Sequence, residues 1–193
     1  MPFPTPELAH VVYRTKRLQE MLDWYAHVFG GEIVYRNDAL VFVTYGEAHH
    51  RFAFADLNVI APEASDAEHN PVGVDHVAYD VPDLATLLAS YRELKDKGIE
   101  PYWCVNHGMS ASLYYADPDG NQMEFSVDCF GSAQECIDYF RSGVLNRNPV
   151  GVEFDPEEWL VELELGVKPE ELFRIDDTAP VSPIRGRLER IAG

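Results

Sequence analysis

Three side chains in this sequence have the types and the placement to hold one metal ion: His10, His76 and Glu124. Taken singly, each histidine reads as an ordinary half-buried residue of an apolar strand. Their placement argues otherwise, because sliding the chain by 66 positions lays His10 on His76 within a weak internal repeat. Two imidazoles and one carboxylate on an octahedral ion leave half of its positions open. That arrangement suits Fe(II), which can then accept both a substrate and O₂; Mn(II) accepts the same ligands.

The elements that must position these residues come from the same repeat. The slide also superposes Val11 on Val77, Tyr13 on Tyr79, Leu18 on Leu84, Leu22 on Leu88 and Tyr25 on Tyr91. Each copy opens with a short apolar strand, 9–13 and 75–81. A helix follows, with apolar residues at i, i+3, i+4 and i+7: Leu18, Met21, Leu22, Tyr25 and Phe29, then Leu84, Leu87, Leu88, Tyr91 and Leu94. Glycine ends each helix, at Gly30-Gly31 and at Gly98. Three more strands complete each copy: 32–35, 40–45 and 51–59 in the first, 100–104, 112–116 and 122–127 in the second. The last two are joined by the turn signal Asp117-Pro118-Asp119-Gly120.

The expected fold is therefore α+β, with two βαβββ modules over 5–61 and 73–129. The polar stretch APEASDAEHNP reads as the linker between them. The first strands of two such pseudo-symmetric sheets meet at a shared axis, which would bring His10, His76 and Glu124 together. A C-terminal extension, 130–193, holds a helix over 132–142, an extended segment NPVGVEFDP, and two short helices starting at Pro156 and Pro169. Its end, carrying Arg185, Arg187 and Arg190, reads either as a mobile arm or as a segment packed on a partner subunit.

The composition excludes several classes. With 15 Lys+Arg against 33 Asp+Glu, the net charge is −18. Such a chain has no cationic surplus to displace the counterions of a nucleic acid, and it is repelled by anionic membrane surfaces. No apolar run reaches the roughly 18 residues of a spanning helix. Cys104, Cys129 and Cys136 are too few and oddly numbered for a disulfide framework. The opening MPFPTPELAH has no leader character. A cytoplasmic protein is expected.

Two βαβββ modules with metal ligands on their first and last strands resemble the vicinal oxygen chelate superfamily, which includes glyoxalase I, extradiol dioxygenases, epimerases and antibiotic-resistance proteins. One segment is more specific. Val105-Asn106-His107, five residues, Leu113-Tyr114, two residues, Asp117-Pro118, one residue, Gly120, three residues, Glu124 matches the type I extradiol ring-cleavage dioxygenase signature at every required position. The two-module length resembles the small one-domain type. The resemblance implies that Glu124 is an iron ligand and that His107 and Tyr114 act on substrate and oxygen. His49-His50-Arg51-Phe52-Ala53-Phe54 resembles the family segment with a catalytic histidine before an apolar strand, and His50 aligns best. It would take a proton from a catechol hydroxyl and return one as the O–O bond breaks. Strand alternation allows only one of Tyr114 and Tyr115 to face the site; counting from Glu124 favours Tyr114.

The implied reaction is Fe(II)-dependent extradiol (meta) cleavage of a catechol, such as 2,3-dihydroxybiphenyl, by O₂. A homo-oligomer is implied by the same resemblance. Two alternatives stay open. A glyoxalase-like lyase or isomerase would use Zn²⁺ or Ni²⁺ and a fourth ligand, for which Asp56 and Glu63 are the candidates. A non-enzymatic binder of small molecules would not need the metal triad.

Overall fold

The computed structural model describes residues 8, 10–47, 50–63, 74–176, 178–186 and 189. His49, His69, Arg187, Arg190 and most of the expected linker lie outside the described residues. The chain forms two compact units, Met1–Asn70 with Asp117–Asp119, and Pro71–Ala116 with Gly120–Gly193. Among the described residues, no helix is long and apolar enough to cross a membrane.

The first unit runs β1 (Val11–Thr15), α1 (Leu18–Phe29), β2 (Glu32–Arg36), β3 (Leu40–Thr44), β4 (Phe52–Asp56) and α2 (Leu57–Ile60). Its sheet has the order β1-β4-β3-β2, with β1 parallel to β4 and the other neighbours antiparallel. The apolar stripe of α1 buries Met21, Leu22, Trp24 and Tyr25 on the sheet. The Tyr25 ring meets Phe52 and Phe54 edge-on at 4.6 and 4.9 Å. Its complete burial contributes roughly 2–3 kcal/mol. The Tyr25 hydroxyl donates to the buried Asp117 carboxylate at 3.2 Å. Gly30 takes the left-handed conformation that ends α1. A Cβ on Gly31 would sit 2.7 Å from Val43 Cγ1, so only glycine lets the chain turn this tightly onto β3.

The strand expected over 51–59 is shorter than anticipated. Asp56 Oδ1 accepts a hydrogen bond from Asn58 N at 2.9 Å and so caps α2, which ends β4 at Asp56.

The second unit runs β5 (His76–Asp80), α3 (Leu84–Asp96), β6 (Trp103–Asn106), β7 (Ser110–Ala116), β8 (Gln122–Asp128), α4 (Ala133–Arg141), a 3-10 turn at Val144–Asn146, β9 (Val152–Glu153), α5 (Pro156–Glu164) and α6 (Pro169–Leu172). Its sheet has the order β5-β8-β7-β6-β9. The first four strands repeat the arrangement of the first unit, with β5 parallel to β8. Asp83 caps α3 by accepting from Thr86 N at 2.7 Å, and Leu84, Leu87, Leu88, Tyr91 and Leu94 are buried along one face. This is the α+β paired-module fold expected from the repeat.

The extension completes this unit. Its extended segment adds β9 to the edge of β6. Ser132 caps α4: its Oγ accepts from Glu135 N at 3.3 Å and donates to Glu135 Oε2 at 2.9 Å. The tail packs back on the unit: Ser182 N donates to Gly151 O at 2.8 Å, Trp103 Nε1 donates to Ser182 Oγ at 2.9 Å, and Arg185 pairs with Glu153 at 3.0 Å.

Candidate active site

Strand register gathers one set of polar residues on a single face of the second sheet. Tyr114 pairs with both Trp103 on β6 and Glu124 on β8, and Glu124 pairs with Ala78 on β5. The two-residue period puts Ser112 on the same face as Tyr114 and His76 on the same face as Ala78. Leu113, Tyr115, Met123 and Phe125 point to the opposite face. Tyr115 is fully buried there, edge-on to Phe125 at 5.8 Å, whereas Tyr114 stacks on Trp103 at 4.8 Å and faces the His76 ring at 5.4 Å.

Glu124 is 8% exposed. Ser112 Oγ donates to its Oε1 at 2.6 Å, and His76 Nε2 lies 3.0 Å from its Oε2. Burial pushes the Glu124 pKa up, but the bonds from His76 and Ser112 outweigh it and hold the group below its ordinary value. His76 Nδ1 contacts Asp75 Oδ2 at 2.8 Å. The hydrogen bond to Glu124, aided by Asp75 and opposed by burial, raises the His76 pKa to about 9.

The donor chemistry of this pair suits a cation. A carboxylate only accepts hydrogen bonds, so His76 Nδ1 carries a proton toward Asp75. Nε2 then points a lone pair at the Glu124 oxygen unless a positive charge sits between them. A proton can supply that charge; so can a metal ion. An imidazole oriented by an outer carboxylate, next to a second carboxylate, is a donor pair suited to a first-row divalent metal. Among the described residues no group of three or more His, Cys, Asp or Glu side chains is arranged to hold an ion; His76 and Glu124 are a pair.

Beside this pair, His107 links the Val150 carbonyl to the Tyr114 hydroxyl. His107 Nδ1 lies 2.5 Å from Val150 O, and His107 Nε2 lies 3.1 Å from Tyr114 Oη. Burial lowers the His107 pKa, which favours the neutral ring. Burial, then the Glu124 charge, pushes the Tyr114 hydroxyl far above its ordinary value, so it stays a proton donor.

In the first unit His10 precedes β1 by one residue, and its ring lies 4.5 Å from that of His50. His50 also stacks on Phe42 at 4.9 Å. The six sequence-derived candidates thus fall into two sets: His10 with His50, and His76, His107, Tyr114 and Glu124. Asp56, the candidate fourth ligand of a lyase, spends an oxygen on capping α2.

Sequence reasoning missed Ser112, Asp75 and the Val150 carbonyl. Ser112 stands two residues before Tyr114, the strand period, and Asp75 precedes His76; both carried a signal. Val150 carried none, because a backbone carbonyl has no residue type.

Comparison with known proteins identifies the family. The profile of the Glyoxalase/Bleomycin resistance protein/Dioxygenase superfamily matches residues 7–125. Biphenyl-2,3-diol 1,2-dioxygenase 2 of Rhodococcus globerulus is 44% identical over 154 residues, 79% of this chain and 78% of that protein. Biphenyl-2,3-diol 1,2-dioxygenase 3 of the same organism is 40% identical over 169 residues, 87% of each chain, an alignment long enough to include part of the C-terminal extension. The crystal structure of lactoylglutathione lyase from Agrobacterium tumefaciens superposes with a TM-score of 0.52 at 22% identity, over 65% of this chain and 96% of that one, a likeness of fold. On this profile match and these identities, the chain belongs to the glyoxalase/bleomycin resistance protein/dioxygenase superfamily.

Proposed function

We propose that this protein is an extradiol dioxygenase that uses Fe(II) to cleave a catechol such as 2,3-dihydroxybiphenyl beside its hydroxylated carbons. Both atoms of O₂ enter the ring-opened product, a muconic semialdehyde or related dienoate. The observation that carries the reading is the His76–Glu124 pair, flanked by the Tyr114–His107 chain on one sheet face. Relatives at 40–44% identity named as biphenyl-2,3-diol dioxygenases support it.

His76 and Glu124 would hold the iron, with His10, the repeat equivalent of His76, as third ligand. Bound Fe(II) supplies a shared meeting point for catechol and O₂ and lowers the pKa of a coordinated phenol. The chain's own groups then manage protons and charge. His50 takes the proton of a catechol hydroxyl and later returns one. Tyr114 keeps its proton at neutral pH, and its phenol oxygen hydrogen-bonds the substrate oxygens. His107 sets the orientation of that hydroxyl. Trp103 and Tyr102, beside Tyr114, offer aromatic walls for the substrate ring. A cytoplasmic location belongs to the same reading and is supported by three free cysteines. So does a homo-oligomer, supported by the exposed apolar residues Ile33, Val34 and Tyr35 of β2.

The test is anaerobic loading with Fe(II), followed by air-saturated buffer containing 2,3-dihydroxybiphenyl, catechol or 3-methylcatechol. Yellow ring-fission product with matching O₂ uptake is expected, abolished in His76→Ala, Glu124→Ala and His10→Ala and strongly reduced in His50→Ala. Iron-loaded protein that takes up no O₂ with any of these catechols refutes the proposal.

A further inference from the structure

We propose that the turn 148–151 of the C-terminal extension sets the tautomer and aim of His107, making Asn148 and Gly151 positioning residues. The inference rests on the reading of His107 as a group of the active site. A carbonyl only accepts, so the contact of Val150 O with His107 Nδ1 at 2.5 Å places the ring proton on Nδ1. Nε2 is left with a lone pair that faces the Tyr114 hydroxyl 3.1 Å away, a hydroxyl that also reaches the Glu124 carboxylate. The His107 ring thus turns its N–H to Val150 and its lone pair to Tyr114. Without the Val150 carbonyl either nitrogen can carry the proton, and an Nε2–H would turn the Tyr114 hydroxyl around.

The turn is built to present that carbonyl. Asn148 Oδ1 accepts from Val150 N at 3.2 Å and from Gly151 N at 2.6 Å. Gly151 has φ +119°, and a Cβ there would collide with Asn106 O and lie 2.8 Å from His107 Cα. Only glycine lets the backbone pass this close to the main chain of Asn106 and His107. Other pieces of the extension hold the neighbouring residues. Asn106 Nδ2 donates to Phe173 O at 2.9 Å, Asn106 Oδ1 accepts from Gly108 N at 2.8 Å, and the Tyr139 phenol fills the space over Gly108. The segment that carries the signature histidine is thus gripped from the extension on both sides.

The test reads the tautomer directly. The full chain is labelled with ¹⁵N-histidine and supplied with Zn²⁺ as a diamagnetic ion, and His107 is assigned by its loss in His107→Gln. Long-range ¹⁵N–¹H correlation should show one His107 tautomer with the proton on Nδ1. Asn148→Ala and Gly151→Ala should convert it to a mixture, and Asn148→Asp, which keeps the accepting oxygen, should restore it. In the Fe(II)-loaded enzyme, kcat of Asn148→Ala should fall about tenfold with KM little changed. A wild-type ring protonated on Nε2, or a tautomer unmoved by Asn148→Ala, overturns the proposal. So does a shifted tautomer with full turnover. If Gly151→Ala does not fold, the two Asn148 variants decide alone. The tautomer needs no turnover to be read, so a wild type that cleaves no catechol refutes the functional reading while the resonances still decide the role of the turn.

Discussion

Replacing Ser112 by alanine removes one hydroxyl from a wholly buried position and leaves a carboxylate oxygen without its donor. The Ser112 Oγ to Glu124 Oε1 bond is 2.6 Å long, and Glu124 is 8% exposed, so little water can take over. A hydrogen bond to a charged group contributes about 1.5–3 kcal/mol. Converted at about 1.4 kcal/mol per decade, that is roughly a 10- to 100-fold change in an equilibrium constant. The bond also fixes the carboxylate rotation that points Oε2 at His76, so the change should appear in metal affinity. Ser112→Ala is expected to weaken Fe(II) binding about 10- to 100-fold in anaerobic titration calorimetry. Ser126→Ala is the control: its hydroxyl is also buried but donates to Asp80 at 3.0 Å, and its Fe(II) affinity should not move. The metal-free Ser112→Ala chain should lose about 1–3 kcal/mol of unfolding free energy in urea. An Fe(II) affinity equal to wild type within about threefold, with the protein folded, would refute the claim that Ser112 orients a metal-binding carboxylate.

Other consequences follow from packing away from His76 and Glu124. Tyr25→Phe takes a donor from the buried Asp117 and should lower stability by about 1–2 kcal/mol, seen as a lower urea midpoint with unchanged slope. Gly108→Ala adds a Cβ at φ +87° against the Tyr139 phenol and should destabilise by more than about 1 kcal/mol. Tyr139→Ala in the same chain should recover part of that loss, leaving a non-additive double-mutant cycle. Burial pushes the Cys104 and Cys129 thiols up to about 12. A raised thiol pKa depletes the thiolate at every pH below it. At pH 8 both should alkylate with iodoacetamide roughly 10³-fold more slowly in the native chain than in urea.

Much of this protein is legible in its sequence. The repeat aligned the apolar stripes of α1 and α3, and those stripes become buried helix faces because a 3.6-residue period has only one way to meet a sheet. The turn at Asp117-Pro118-Asp119-Gly120 joined two strands, counting from Glu124 favoured Tyr114 over Tyr115, and the register of β7 on β8 puts Tyr114 opposite Glu124. Local chemistry invisible to periodicity altered the details. The Asp56 cap cut β4 short, and β9 is two residues long, too short to show a pattern.

The residue types, the register of β7 on β8 and the family signature were determined by the sequence, because each depends on local spacing. Tertiary structure alone decided that His76 meets Glu124 and that His107 Nδ1 meets the Val150 carbonyl. Those contacts depend on groups brought close through space: on Glu124 across the parallel β5–β8 pair, and on a Val150 carbonyl far along the chain. A hydrogen bond to a backbone oxygen leaves no mark on residue type, so no spacing rule could have placed it.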